Sequence, residues 1–348
     1  MEHAISFPAL GLDFNINRVA VNLFGKDIYW YGIIICLGFV LAALYVNRRT
    51  KEFGVTSDNL MDCLIICVPV GIICARIYYV AFEWGYYSQH PNEIIAIWKG
   101  GIAIYGAVIG VVIALAVYSR IKKLSFASLC DLAAFGLLIG QCIGRWGNFV
   151  NGEAHGGATS LPWGMSIDGA SPVHPTFLYE SLWNFVGFLV LHFYSKKRKF
   201  KGEMALLYVA WYGLGRAWIE GLRTDSLYLF NWQLFGQPIR VSQALSVVMV
   251  VVAAFMLFYN IKIKKRSPES LWVNQVAAEK ARATAAAAED AVLVETLMNE
   301  EPTQGGAADP VETEAVAADA PAAEAENAEA APADAEKTSE ELPHGDEN

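Results

Sequence analysis

Two short stretches of this 348-residue chain gather polar side chains that could do chemistry. From Gly140 to Gly157 the sequence reads GQCIGRWGNFVNGEAHGG, with Arg145, Asn148, Asn151, Glu153 and His155 inside eleven positions. The glycines at 144, 147, 152, 156 and 157 permit a tight backbone that approaches a ligand closely. Such a turn can offer peptide N–H groups and a planar guanidinium fork to an oxyanion. From Tyr212 to Asp225 the sequence reads YGLGRAWIEGLRTD, and Arg216, Glu220 and Arg223 fall at i, i+4 and i+7 on one helix face. Arg216 then serves as a ligand for a phosphate, with Glu220 holding its geometry, or the pair is a structural clasp. Arg145 has its own plain alternative, a snorkelling side chain at a membrane interface.

Other residues join them with weaker signals. His174-Pro175-Thr176 leads into Tyr179-Glu180, where a carboxylate near a helix amino end suits the dipole and a capping role. Trp30-Tyr31 fits an interfacial aromatic belt as well as a site. Gly100-Gly101-Ile102-Ala103-Ile104-Tyr105-Gly106 places Tyr105 about one turn into a helix. Arg76 and Asp62 lie in the helix before it.

The elements that must position these residues are membrane helices. The chain is 55% hydrophobic and 18% charged, whereas soluble domains run about 45–50% and about 25%. A single soluble enzyme is excluded. Seven runs can cross a bilayer, at about 29–46, 60–82, 101–118, 126–144, 177–194, 203–220 and 241–260. Lys and Arg total 15 in one set of alternate connections and 6 in the other. The basic set faces the cytoplasm, so the amino terminus is outside and the carboxyl terminus inside. The expected fold is therefore an all-α integral membrane protein of seven transmembrane helices, with both polar motifs near the outer face.

Residues 1–266 carry 23 Lys+Arg against 15 Asp+Glu, and residues 267–348 carry 3 against 20. The formal charge of −9 therefore belongs to the tail. Rich in Ala, Glu and Pro, that tail cannot bury enough apolar surface to order itself, beyond a nascent helix over 269–300. The expected organisation is a membrane domain, 1–266, and a mostly disordered acidic cytoplasmic tail, 267–348. All six cysteines fall inside apolar runs, and no His or carboxylate joins Cys63 and Cys67 at ligand spacing. No metal, disulfide or cofactor is expected, and no nucleic acid partner.

The run GRWGNFVNGE-x-x-G, then HPTFLYE, then YGLGR-x-x-x-E-x-x-RTD, resembles the bacterial prolipoprotein diacylglyceryl transferase family. The likeness extends from WYG at Trp30 to VSQALS ending at Ser246 and leaves out the tail. It implies a multi-pass plasma-membrane enzyme that takes phosphatidylglycerol from membrane lipid. The diacylglyceryl group would pass to the lipobox cysteine of a prolipoprotein signal peptide, releasing glycerol phosphate. Carried over by position, Arg145, Asn148, Glu153 and Gly156 match the family signature, Tyr31 its first-helix tyrosine, and Tyr212, Arg216, Glu220 and Arg223 its later motif. Tyr105 stands where many members carry a histidine, so the base is open among Tyr105, His155 and His174.

In that chemistry a thiolate attacks an sp³ carbon while a phosphate oxygen leaves with growing negative charge. Arg145 and Arg216 are assigned to the phosphate, with Asn148 and backbone amides adding hydrogen bonds, and Asn151 and His174 beside them as substrate contacts. Glu153 and Glu220 are expected to orient the guanidiniums. A transporter or lipid-binding protein, and a pure assembly factor, are the competing classes. The absence of an internal repeat and the clustering of polar residues near one face count against the first. The arginine pair would have no evident use in the second.

Overall fold

The computed structural model describes residues 2–224, 228–234 and 237–299. It divides at Ala291/Val292 into two units, the second of which is described only over the last turns of a helix. Asp225 and the acidic stretch from Glu300 onward lie outside the described residues.

In chain order the elements are β1 (Glu2–Phe7), β2 (Leu12–Asn17), β3 (Val19–Leu23), β4 (Lys26–Tyr29), α1 (Trp30–Arg49), α2 (Ser57–Phe82), a single turn α3 (Trp84–Tyr87), α4 (Ile104–Ile121), α5 (Phe126–Asn151), β5 (Ser166–Ile167), α6 (Thr176–Tyr194), α7 (Glu203–Leu222), β6 (Tyr228–Leu234), β7 (Gln237–Arg240), α8 (Val241–Phe258) and α9 (Trp272–Asn299). The described residues are mostly helical, and among them five helices are long and apolar enough to cross a membrane: Trp30–Phe53, Ser57–Phe82, Ile104–Ile121, Phe126–Asn151 and Val241–Ile263. Their outward faces show isoleucine, valine and phenylalanine, such as Ile65, Ile77, Ile121, Val251 and Phe255. That is the surface of a protein whose solvent is lipid.

The other two expected spans are α6 and α7, of 19 and 20 residues. Their apolar character is diluted by polar positions that point inward: Glu180, Ser181 and Asn184 on α6, and Glu203 and Glu220 on α7, are all buried. A polar group inside a bundle is tolerable where it finds partners, whereas one facing lipid is not.

The all-α expectation needs correction. The amino-terminal residues form strands, β1 pairing antiparallel with both β2 and β5, and β3 with β4, while β6 and β7 make a third ribbon. The β1–β5 sheet has its own small core of Ile5, Phe7, Met165 and Phe177, separate from the main core. These segments contain no long apolar run, and outside the hydrocarbon a short amphipathic segment can satisfy its backbone by pairing.

Helix α5 is central, packing on α1, α4, α6 and α7. Its Leu132, Phe135 and Leu138 are fully buried in the main core with Val46, Leu60, Leu115 and Met204. Helices α6 and α7 are joined by a reciprocal pair of indoles. Trp183 donates to the Trp211 carbonyl and Trp211 to the Trp183 carbonyl, both at 2.9 Å, with the rings stacked 4.6 Å apart. A Cβ at Gly215 would lie 2.2 Å from the Trp183 ring nitrogen, so this crossing requires glycine. The crossing sets the height of Arg216, the next residue, against Glu180.

Arg76, singled out in the sequence, is a buried staple. Its guanidinium donates to the carbonyls of Glu93, Ile94, Gly100 and Gly101 at 2.6–2.8 Å and so holds the segment that leads into α4 and Tyr105.

Candidate active site

The two polar motifs meet where α5 and α7 end and α6 begins, and Glu180 joins them. Glu180 is 5% exposed. Arg145 from α5 makes a close ion pair with its Oε2. Arg216 from α7 and Arg223 just beyond α7 face its Oε1 at 3.4 and 3.5 Å. Arg216 also pairs with Glu220 at 2.6 Å, one helical turn on, and Glu220 is 2% exposed. The Glu220 carbonyl accepts a hydrogen bond from Arg240, at the start of α8. Three guanidiniums thus converge on Glu180, one of them shared with Glu220.

Glu180 is the residue that reading the sequence underestimates. Its partners come from other elements, so no local spacing reveals them. The available signal is the cost of an unpaired carboxylate one turn inside an apolar helix. That reasoning singled out Arg216 and applies equally here.

Glu153 behaves differently from expectation. It does not orient an arginine directly, because it accepts from Asn148 and Asn151 side-chain amides, each at 3.1 Å. Asn148 in turn accepts from Arg145 at 3.2 Å. Glu153 therefore acts on Arg145 through Asn148, and the direct carboxylate partner is Glu180.

The glycine-rich frame also differs. Helix α5 runs on to Asn151, so Gly144, Arg145, Gly147 and Asn148 are helical and the loop begins only at Gly152, whose φ is +63°. Its amides are largely engaged. Gly152 and Glu153 donate to the Asn148–Phe149 turn, Gly156 donates to the His174 carbonyl and Gly157 to that of Leu222. A backbone cradle for an anion is not free at those four positions. Gly156 instead zips the two motifs together, bridging to Arg223. A Cβ there would sit 2.7 Å from the His174 Cβ and 2.9 Å from the Leu222 carbonyl oxygen, so only glycine allows the approach.

The remaining candidates divide into two groups. Tyr31 packs on the face of Gly147 and lines, with Arg145 and Asn148, one end of an apolar cavity of about 560 Å³ between α1, α2, α4 and α5. Leu60, Cys63 and Leu129 line the far end. From Leu129 to Asn148 helix α5 rises about 28 Å, close to the hydrocarbon thickness of a bilayer. Tyr212 stacks on Tyr208 with ring centroids 5.8 Å apart, and Tyr105 faces Tyr78 of α2 at 6.4 Å. Each of the two histidines is held through one ring nitrogen. His174 Nδ1 meets the Tyr179 hydroxyl at 3.3 Å, and His155 Nδ1 the Gly156 carbonyl at 3.0 Å.

Known proteins resemble this chain over most of its length. The chain is 45% identical over 252 residues to the phosphatidylglycerol–prolipoprotein diacylglyceryl transferase of Clostridioides difficile, covering 72% of this chain and 98% of that one. The protein of the same name from Streptococcus agalactiae is 46% identical over 255 residues, 70% of this chain and 96% of its own. That of Bacillus licheniformis is 44% identical over 257 residues, with 70% and 93% covered. The family profile described as prolipoprotein diacylglyceryl transferase matches residues 18–259, which include every helix that carries the arginine cluster. The chain belongs to the prolipoprotein diacylglyceryl transferase family.

Proposed function

We propose that this protein transfers the diacylglyceryl group of phosphatidylglycerol to the lipobox cysteine thiol of a prolipoprotein, forming a thioether and releasing glycerol phosphate. The observation that carries the reading is the cluster of Arg145, Arg216 and Arg223 around buried Glu180. Guanidiniums held in place by buried carboxylates suit the negative charge of a phosphodiester. The two carboxylates keep the guanidiniums folded inward before the lipid arrives, so they need no reorganisation when charge develops.

In the reaction a sulfur–carbon bond forms at the glycerol carbon that bears the phosphate. The carbon–oxygen bond to phosphate breaks, and its electron pair leaves on glycerol phosphate. Arg145 and Arg216 meet the leaving phosphate, with Arg223 and Asn148 completing its surroundings. Glu180, Glu220 and Glu153 are positioning residues, the last acting through Asn148. A free cysteine thiol has a pKa of about 8.5, so a positive field and a base both help to form the thiolate. Tyr105, His155 and His174 are the candidate bases, each acting directly or through water, and both histidine rings are oriented through Nδ1. Tyr31, Asn151, Gly156, His174 and Tyr212 shape the substrate site around these groups. The long apolar cavity beneath Arg145 suits an acyl chain whose phosphate stays at the charged end. Direct displacement needs no cofactor and no covalent relay through the protein's own cysteines.

The same reading makes α6 and α7 spans as well, for seven in all. The amino terminus and the site lie at the outer face of a bacterial plasma membrane, and the tail from 267 lies in the cytoplasm. Residues 1–266 are then the catalytic body.

The test is direct. The purified protein in detergent is given phosphatidylglycerol and a synthetic lipobox peptide, and mass spectrometry follows the peptide. A diacylglyceryl mass gain that a Cys→Ser peptide lacks, with release of glycerol phosphate, is the expected result. No gain from folded protein that still binds the lipid would overturn the assignment in favour of lipid binding or transport.

A further inference from the structure

The β3–β4 hairpin has a face that nothing in the described chain covers. Cross-strand pairing sets Val21 opposite Ile28, Asn22 opposite Asp27 and Leu23 opposite Lys26. Because alternate residues point to opposite faces, Val21, Leu23, Ile28 and Lys26 share one face. Asn22 and Asp27 share the other, where they hydrogen-bond to each other at 2.6 Å. At the tip, Phe24 is 97% exposed and adopts φ +51°, followed by Gly25 at +78°. A two-residue tip with both φ positive ordinarily takes Asn-Gly or Asp-Gly, and an aromatic residue in that conformation is unusual. An apolar ring at the end of a polar-backed ribbon, with no protein neighbour, points to a partner outside the chain.

We infer that this hairpin is a lipid-surface anchor, its Val21–Leu23–Phe24–Ile28 face seated at the headgroup–acyl boundary of the leaflet where α1 begins, with Lys26 on an anionic headgroup. Continuity argues for lipid as the occupant. β4 passes into α1 without a loop, and exposed apolar residues follow in the first turns of the helix at Trp30 and Ile33. Four strand residues span only about 13 Å, so the tip stays close to the membrane end of that helix. The base of the ribbon is closed by the Trp30 amide donating to the Arg18 carbonyl at 3.0 Å. Arg18 also reaches the Asn151 carbonyl at 2.5 Å. The anchor is thereby tied to the end of α5 that carries Asn148 and Asn151. The inference rests on membrane embedding alone and does not depend on the transferase chemistry.

The experiment uses the full-length chain in lipid nanodiscs of phosphatidylglycerol and phosphatidylcholine. A photoreactive benzoylphenylalanine replaces Phe24 in one sample and Asn22 in another, and adducts are read by mass. Lipid adducts at position 24 should exceed those at position 22 by about tenfold or more, as for an apolar face buried in the interface. Equal yields at the two positions would overturn the inference. So would adducts at position 24 to added signal peptide in place of lipid, which would make the face a peptide-docking surface. An independent reading uses a nitroxide on Phe24→Cys in a Cys36→Ser background. Relaxation stronger from oxygen than from an aqueous nickel complex is expected, and the reverse order would overturn the inference.

Discussion

Glu180 decides more at the scale of single residues than any other side chain. Replacing it by glutamine removes the carboxylate on which three guanidiniums converge. Breaking a buried ion pair by removing one partner costs about 3–5 kcal/mol. Glu180→Gln should therefore lower thermal stability in detergent markedly as well as abolish transfer, and a melting curve beside an activity assay separates the two effects. Arg145→Lys isolates geometry from charge, since lysine keeps the positive charge but loses the fork that reaches Glu180 and Asn148 together. Its transfer rate should fall by about 10²–10³-fold, the usual loss for one oxyanion donor, with expression unchanged. If Arg145→Lys and Arg216→Lys both kept near-full turnover, the phosphate assignment would be wrong. Arg145, Arg216 and Glu220 were visible in the sequence because charge inside an apolar helix is costly and therefore conspicuous. Local sequence suits Glu180 to a cap, because its partners lie about thirty-five residues away on either side.

At the scale of elements, two junctions carry predictions. β1 is clasped to the loop after β5 by Asp168, which accepts from His3 at 2.7 Å and from the Ala4 amide at 2.9 Å. The hydrogen bond to His3, reinforced by the Ala4 amide, holds the Asp168 carboxyl below the usual carboxylate range. A carboxyl with a depressed folded pKa adds stability above its unfolded value of about 3.9, and that contribution is lost as pH falls through the lower folded value. Amide-exchange protection of residues 2–7 should hold at pH 5 and drop below about pH 4, whereas Asp168→Asn should flatten the dependence. The second junction is the α6–α7 crossing. Gly215→Ala puts a Cβ into the Trp183 ring and should cost about 1–3 kcal/mol, as overpacking does, seen as a lower melting temperature and reduced transfer. Hydropathy located the helices well, since α5 began at 126 and α8 at 241 as read. It was blind to the amino-terminal strands, whose short alternating patterns carry little signal beside long apolar runs. It also stopped α5 too early, treating Arg145, Gly147 and Asn148 as loop when helical hydrogen bonding carries them to Asn151.

For the whole molecule, the membrane body and the acidic tail follow different physics. The root of the tail is fastened, because Leu271 is buried and Trp272 packs on Gly54 at the turn after α1. Deleting residues 275–348 keeps both side chains and should leave transfer activity and melting temperature unchanged. Deleting from 267 removes them, and the melting temperature should drop by a few degrees, about the shift that 1 kcal/mol gives a domain of this size. Equal losses from the two deletions would place a working element beyond residue 275.

The sequence by itself determined where apolar helices run, which side of each bundle end is rich in basic residues, and that Arg216 and Glu220 share a face. Each of these is a local property, set by side-chain type and helical period. Tertiary structure alone decided that Arg145, Arg216 and Arg223 converge on one carboxylate, that Glu153 reaches Arg145 only through Asn148, and that Gly156 locks two motifs together. Those pairings arise from the heights at which α5, α6 and α7 cross. Crossing heights depend on packing between distant segments, such as the Trp183–Trp211 pair on its glycines, which no window of sequence contains.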